Sequence, residues 1–363
     1  MKITKVESPP KPLLNFEGAT YPVEKELEPA DVVEIFQTPL TGSYNWDYTV
    51  QDNRIKKLYE LGKEKNWNAE TDINWDVPNA DQDPTTFMFF NAQWTDHKGY
   101  MSLSQEDKEK FVSDLQHWTL SQLLHGEQGA LLVASQLASC APTFNAKLYA
   151  ASQTFDEARH VEVFNKYLQT RVGEIFPIGA PLKSLLDKIL TDERWDLKFI
   201  GMQILIEGLA LAIFNTVRNT TTDPVLKNLL TLVIRDEARH VTFGVNYLES
   251  YTTTLTPEEL AEREDFCLEA CNVLRNRFKQ YEVWEKWGFD IEYTEEHLSR
   301  NDLNTQFQEL LFTRIMPNLK RVGLLPDRLK GEYDKLGVSQ FMHGQSDYEM
   351  SWEELNAPLE IVV

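Results

Sequence analysis

Cysteine and positive charge are both scarce in this chain. Cys140, Cys267 and Cys271 are the three thiols in 363 residues. Three is too few and odd in number for a disulfide framework, and supplies no iron–sulfur ligand set. Cys267 and Cys271, one helical turn apart, read as small buried side chains. Lys and Arg total 36 against 57 Asp and Glu, a net charge of −21. That deficit excludes nucleic acid and anionic membrane as partners, since both call for a basic face. Strand-like alternation of any length is missing, as are a Gly-rich phosphate loop and a Gly-x-Ser-x-Gly elbow. No organic cofactor is therefore expected. The first ten residues, Met1 to Pro10, contain no apolar core of a signal peptide. The longest apolar run is interrupted by Glu207 and is expected to fall short of a membrane span. These absences point to a soluble, reduced, cytoplasmic protein.

What the chain does have is a repeat. Asp156-Glu157-Ala158-Arg159-His160-Val161 recurs letter for letter as Asp236-Glu237-Ala238-Arg239-His240-Val241. Each copy is a Glu-x-x-His, which on a helix puts a carboxylate and an imidazole on one face, one turn apart. Thirty residues before each Glu lies another, Glu127 and Glu207, in apolar runs of helical length. Both pairs are offset by eighty residues, so the chain holds two helix pairs, each offering one Glu and one Glu-x-x-His.

Read in order, residues 1–103 form an N-terminal arm followed by an aromatic-rich flanking region. A short helix is expected over Asp52 to Leu61, stopped by Gly62, and another after Pro84. The core is residues 104–252. Ser104 starts a helix running to Ser139 that carries Glu127. A second, with Pro142 in its first turn, reaches Val172 and carries Glu157 and His160. A bridge helix spans Pro181 to Leu190. Asp192 is expected to cap the third long helix, which carries Glu207. Asp223 and Pro224 start the fourth, with Glu237 and His240. Residues 253–363 hold a helix of about thirty residues from Thr256, two or three more, and an irregular tail from Gly337, all packed on the core as one domain.

This is an all-α chain whose core is a four-helix bundle. Bundles that present one Glu from each of two helices and a Glu-x-x-His from each of the other two hold two iron or manganese ions. The physical case stands beside that pattern. A lone carboxylate in an apolar helix costs several kcal/mol or is driven neutral, and two divalent cations balance four of them. Asp156 and Asp236 are placed to accept the second ring N–H of a histidine, crossed so that Asp236 serves His160 and Asp156 serves His240. Arg159 and Arg239 would fix the aspartates. His125 points to another face. His97, His117, His297 and His343 lack partners at ligand spacing. Trp94 and Trp118 read as core.

At Asp156–His160 and Asp236–His240 the sequence resembles the ferritin-like di-iron carboxylate enzymes. These include the hydroxylases of bacterial multicomponent monooxygenases, acyl-carrier-protein desaturases, ribonucleotide reductase small subunits and arylamine N-oxygenases. The doubled motif is most similar to the hydroxylases, and Asn165-Lys166-Tyr167-Leu168 to the desaturases. The resemblance covers residues 104–252. It implies a ferritin-like fold with flanking helices and two metals, iron, manganese or a mixed Mn/Fe pair. Glu127, Glu157 and His160 would hold one ion and Glu207, Glu237 and His240 the other, with Glu157 and Glu237 bridging. It further implies an O₂-dependent oxygenase or oxidase for an apolar or aromatic organic substrate. Electrons would come from an external reductase or ferredoxin, and the enzyme would be a homodimer. Residues a turn from the ligands, Leu131, Phe164, Gln203, Leu211, Phe243 and Gly244, are the expected pocket.

The departures bear on the reaction. Monooxygenases and desaturases usually carry Thr one turn after the third Glu, where this chain has Ala210 and Leu211. Radical-forming subunits usually carry Tyr one turn after the first His, where this chain has Phe164, and Tyr167 lies too far round. N-oxygenases add a His one turn before the last Glu, where this chain has Val233. A radical-generating reductase-like subunit and a non-catalytic iron-binding or scaffold subunit remain as alternatives.

Overall fold

The computed structural model describes residues 33–50, 52–78, 94–300 and 309–346. Most of the N-terminal arm, the helix expected after Pro84 and the tail beyond 346 lie outside the described residues. The chain forms two units, residues 1–37 and 38–363. Of the first, residues 33–37 carry no regular structure and are exposed. The second is helical throughout its described elements.

Four long helical segments make the bundle. They are α3 (Gln105–Cys140), α4 (Phe144–Tyr167), the run Trp195–Thr220, and α8 (Pro224–Tyr251). Ahead of them stand α1 (Asn53–Glu64) and the short α2 (Lys98–Met101). Ser104 caps α3 by accepting the Asp107 N–H, as its sequence predicts. Thr143, not a first-turn proline, starts α4. Its hydroxyl accepts the Ala146 N–H, which leaves Pro142 ahead of the cap. Beyond Tyr167 the helix widens into a π-helical turn, Leu168–Val172, and ends at Gly173, whose φ of 79° suits glycine. The bridge is α5 (Ala180–Thr191).

Asp192 does not cap the third long helix. Its carboxylate accepts the Arg194 backbone N–H at 2.8 Å and the Arg194 guanidinium at 2.8 Å. The helix begins at Trp195 as α6 (Trp195–Phe199), passes through a π-helical segment, Ile200–Ile206, and returns to α-helix as α7 (Glu207–Thr220). By length and composition Trp195–Thr220 could cross a membrane, contrary to the expectation from Glu207, but 94% of its apolar window is buried in the body. It is the core helix of the bundle.

Asp223 and Pro224 start α8 as predicted. A complete capping box of Thr256 and Glu259 starts α9 (Pro257–Asn276). That helix is shorter than thirty residues because the chain turns back at Gln280, which has a φ of 56°. Its side-chain amide donates to the Leu115 carbonyl and Thr119 hydroxyl of α3, holding the turn against the bundle. Helices α10 (Tyr281–Lys286), α11 (Ile291–Ser299), α12 (Phe312–Arg321) and α13 (Lys330–Lys335) follow, and a 3₁₀ turn at Ser339–His343 lies within the expected tail. Gly62 is not a helix stop. It sits inside α1, facing Ser152 of α4, whose hydroxyl an added Cβ would meet at an ordinary 3.4 Å. The three cysteines are buried and unpaired. Trp94 and Trp118 are core residues, and the Trp118 indole donates to Glu282 at 2.9 Å.

Candidate metal centre

The structure brings all six predicted ligand residues to one place, each buried. Glu127 comes from α3, Glu157 and His160 from α4, Glu207 from α7, and Glu237 and His240 from α8. His160 Nδ1 lies 3.1 Å from Glu127 Oε2, 3.1 Å from Glu157 Oε2 and 3.0 Å from Glu237 Oε1. His240 Nδ1 lies 3.1 Å from Glu157 Oε1 and 3.3 Å from Glu237 Oε2. Glu157 and Glu237 therefore each face both imidazoles, one oxygen to each. Two sets of donor atoms result, Glu127, Glu157, His160 and Glu237, and Glu157, Glu207, Glu237 and His240.

The far side of each ring is just as ordered. His160 Nε2 is 3.3 Å from Asp236 Oδ2, and His240 Nε2 is 3.2 Å from Asp156 Oδ2, so the aspartates cross between the halves. A proton held on Nε2 leaves each Nδ1 lone pair facing the carboxylates. Arg159 pairs with Asp156 and, at 3.2 Å, with Asp236. Arg239 pairs with Asp236 at 2.5 Å and Asp156 at 3.5 Å.

The charges show what the site is built to hold. Burial, then the Glu237 carboxylate, pushes Glu127 up to about 8, and the same two causes push Glu207 well above the usual range. Burial would lower the histidines, but Asp236 and the glutamates hold His160 well above its ordinary value, and Glu157 and Glu237 do so for His240. Burial would raise Glu157, yet the imidazoles, His240 foremost, hold it well below. Without metal the fold thus favours protons on Glu127, Glu207, His160 and His240. Two divalent ions carry the same four charges, and they would also satisfy Glu207 Oε2, a buried oxygen with no hydrogen-bond partner. The residues fit a pair of metal ions.

A measurement follows from that exchange. Groups whose pKa is raised by folding bind protons more tightly in the folded, metal-free chain than in the unfolded one. Its stability therefore falls as pH rises through the range above the unfolded values. Metal loading near pH 7 should release protons, and the rise in melting temperature on loading should grow from pH 6 to pH 8.5. Proton release followed with an indicator dye in weak buffer checks this, and loading without release would contradict it.

Two further features at the centre are absent from the sequence reading. The Trp67 indole donates to Asp236 Oδ2 at 2.7 Å, and the Arg159 guanidinium lies over its ring at 4.8 Å. Trp67 lies in the segment after α1, 169 residues from Asp236, a distance no local period reports. The second is a glutamine chain. Gln153 donates to Glu207 Oε1 at 2.7 Å and to Glu157 Oε1 at 3.1 Å, and accepts from Gln203 at 3.3 Å. Gln153, one turn before Glu157, could have been suspected from that spacing.

The expected pocket residues lie elsewhere than the cavity. A small cavity of about 10 Å³ touches Glu127, Glu207 and Glu237. Leu123, Gly126 and Ala130 line it from α3, Ile206 and Ala210 from the third long helix, and Arg277 from the end of α9. Leu131 and Leu211 stand four residues after their glutamates, whereas Ala130 and Ala210 stand three after, about 100° away round the helix. Phe164 stacks on Phe214, and Phe243 packs on Tyr149 and Phe199. Gly244 is a contact point, since a Cβ there would lie 2.4 Å from Gln203 Cβ. Gly244→Ala is expected to cost about 1–3 kcal/mol by overpacking and to disturb the glutamine chain. Urea unfolding of the metal-free protein reads the first effect.

Of the other histidines, His125 faces the Phe176 carbonyl at 2.8 Å, away from the centre. His97 accepts the Gly99 N–H and meets Thr294. His117 does gather partners, Asp114 and Glu174. Their carboxylates, however, are held by Lys286 at 3.1 and 3.0 Å.

The description of the matching family model is P-aminobenzoate N-oxygenase AurF, and it matches residues 49–323. No curated protein matches the chain in sequence. Among solved structures, the dimanganese(II) NrdF of Streptococcus sanguinis shares 16% identity at a TM-score of 0.53, covering 79% of this chain and 93% of that one. An R2-like ligand-binding oxidase shares 17% identity at a TM-score of 0.49, covering 77% of this chain and 95% of that one. The NrdF structure speaks to the fold, a ferritin-like helical bundle.

Proposed function

The chain belongs to the AurF p-aminobenzoate N-oxygenase family, whose members are di-metal oxidoreductases, and from that premise we propose that it catalyses O₂-dependent oxidation of a small aromatic or apolar organic molecule. The observation that carries the reading is the buried pair of donor sets sharing Glu157 and Glu237, with a cavity reaching Glu127, Glu207 and Glu237. Two iron ions, two manganese ions or one of each, bound there, would supply the one-electron chemistry that activates O₂. The chain's own residues do the rest. Asp156 and Asp236 hold each histidine in one tautomer. Arg159 and Arg239 hold the aspartates in place. The apolar shell of Leu123, Ala130, Ile206 and Ala210 keeps bulk water from the open side.

Putting one oxygen atom of O₂ into a substrate consumes two electrons and two protons and releases water. The chain has no flavin or nicotinamide motif, so a separate reductase or ferredoxin would supply the electrons. An aromatic amine is the first substrate to try, because the family is described by one. Val233, where the N-oxygenases carry a third histidine, makes this chain's reaction a separate question from theirs.

The test is incubation of iron-, manganese- and Mn/Fe-loaded protein with O₂, a reductant and p-aminobenzoate, followed by mass spectrometry. A substrate mass gain of oxygen atoms supports the reading. Protein that binds the metals yet consumes no O₂ with any aromatic amine or apolar acceptor would refute it. Sizing that gives a monomer or dimer would set aside an iron-storage cage.

One observation favours a second reading, a radical-forming centre. The Tyr149 ring lies 6.5 Å from the His240 ring, and its hydroxyl is buried without a partner. Rapid-freeze EPR showing a persistent tyrosyl signal that Tyr149→Phe removes would favour that reading over an oxygenase.

A further inference from the structure

Two glutamines break the symmetry of the metal centre. The repeat gives both halves the same hexapeptide and a Glu at the same spacing, so the six ligand residues do not tell one metal position from the other. Gln153 does. Its counterpart, eighty residues on, is Val233, and the counterpart of Gln203, eighty residues earlier, is Leu123. All four side chains are buried. One half thus has a pair of amides where the other has a pair of aliphatic side chains.

An ionised carboxylate only accepts hydrogen bonds, so the Gln153 amide turns its N–H groups to the glutamates. It donates to Glu207 Oε1 at 2.7 Å and to Glu157 Oε1 at 3.1 Å. Gln203 donates to Gln153 Oε1 at 3.3 Å, which keeps that amide the right way round. Gly244 passes close to the Gln203 stem, so packing holds the second amide as well. Glu207 is left with one free oxygen, Oε2, buried and without a partner. Glu127 has no comparable donor. Among the described residues it meets His160 Nδ1, an atom that a metal would itself take. Next to Glu127, a Cβ on Gly126 would lie 3.4 Å from Nη2 of the buried Arg277 guanidinium, whose positive charge opposes a cation there.

We propose that Gln153 is a positioning residue that pins Glu207 as a one-oxygen ligand and makes the Glu207–His240 position the tighter of the two. The proposal rests on the di-metal reading and goes beyond it by ranking the positions. A carboxylate already held in place loses less freedom when it takes an ion. Groups that hydrogen-bond a metal ligand contribute about 10–100-fold to metal affinity. Val233, with no polar atom in its side chain, can give Glu127 and Glu237 nothing of the kind.

The probe is Mn²⁺, titrated without O₂ into full-length protein stripped by a chelator, with the free ion counted by its six-line EPR signal. Two ions sharing Glu157 and Glu237 repel each other and bind unequally in any case, so single-position variants carry the test. His160→Ala leaves the Glu207–His240 position, and His240→Ala leaves the Glu127–His160 position. The ion held by His160→Ala should be bound at least tenfold more tightly than the ion held by His240→Ala. Adding Gln153→Leu should weaken the first at least tenfold and change the second less than twofold. Equal affinity in the two histidine variants, the reverse order, or an unchanged first position overturns the proposal. So does a loss that Gln153→Leu spreads equally over both positions, which is what a merely structural role would give. Melting curves identify a variant that has failed to fold. Gln203→Met, which removes the amide orienting Gln153 and touches no glutamate, then has to weaken the same position alone. Wild-type protein that takes up no Mn²⁺ overturns the di-metal reading together with this one, whereas two bound ions indifferent to Gln153 overturn this one only.

Discussion

Asp236→Ala should cost about 3–5 kcal/mol, a fall in melting temperature on the order of 10 °C, though Asp236 touches no expected metal position. Its carboxylate receives the Trp67 indole at 2.7 Å, His160 Nε2 at 3.3 Å, Arg239 at 2.5 Å and Arg159 at 3.2 Å. Burial alone would raise its pKa, but Arg239 and then His160 hold it well below the usual carboxylate range. Alanine leaves two buried guanidinium groups sharing Asp156, so one positive charge is stranded. It also frees His160 to turn and removes the acceptor of Trp67. Asp236→Asn separates these effects. It can still accept the indole N–H but not balance the charge, so it should fall between wild type and Asp236→Ala. Calorimetric melting of all three metal-free proteins checks the order, and a fall of under about 1 kcal/mol for Asp236→Ala would mean that Asp236 and its four partners contribute only as a surface pair does.

The second large effect belongs to Glu157. It is the carboxylate whose two oxygens face both imidazoles at 3.1 Å, so it belongs to both donor sets. Glu157→Ala should bring metal content from two ions per chain to under one, and remove most of the rise in melting temperature that loading produces. At free metal 100 to 1,000 times the dissociation constant that rise corresponds to about 3–4 kcal/mol. His240→Ala should spare the Glu127 and His160 side and leave about one ion, because His240 belongs to one donor set only. Elemental analysis beside thermal melting separates these outcomes. Two ions per chain in both variants would place the metals elsewhere.

Glu157 and Asp236 differ in how readily they can be found. Glu157 and His160 stand three apart on a helix, and Glu127 and Glu207 repeat at a fixed offset, so their shared location follows from helical period and internal repetition. The crossed pairing of Asp156 and Asp236 followed from the same two-fold logic. The cavity did not. Whether i+3 or i+4 positions face open space depends on how neighbouring helices are turned. Here both halves turn the same positions to it, Gly126 and Ala130 on one helix and Ile206 and Ala210 on the other, although a π-helical segment, Ile200–Ile206, precedes Glu207 alone. Trp67 and Arg277 reach the centre from segments that no spacing links to it.

By itself the sequence determined the helical class, the long segments of the bundle and the six side chains that meet at its centre, because each of these is set by a period of a few residues or by the repeat. Only the tertiary structure decided where Asp192 and Gly62 act, which residues line the cavity, and that a buried guanidinium stands beside it. Those features are contacts between segments distant in the chain. They are settled by how whole helices pack, and a local pattern carries no record of that.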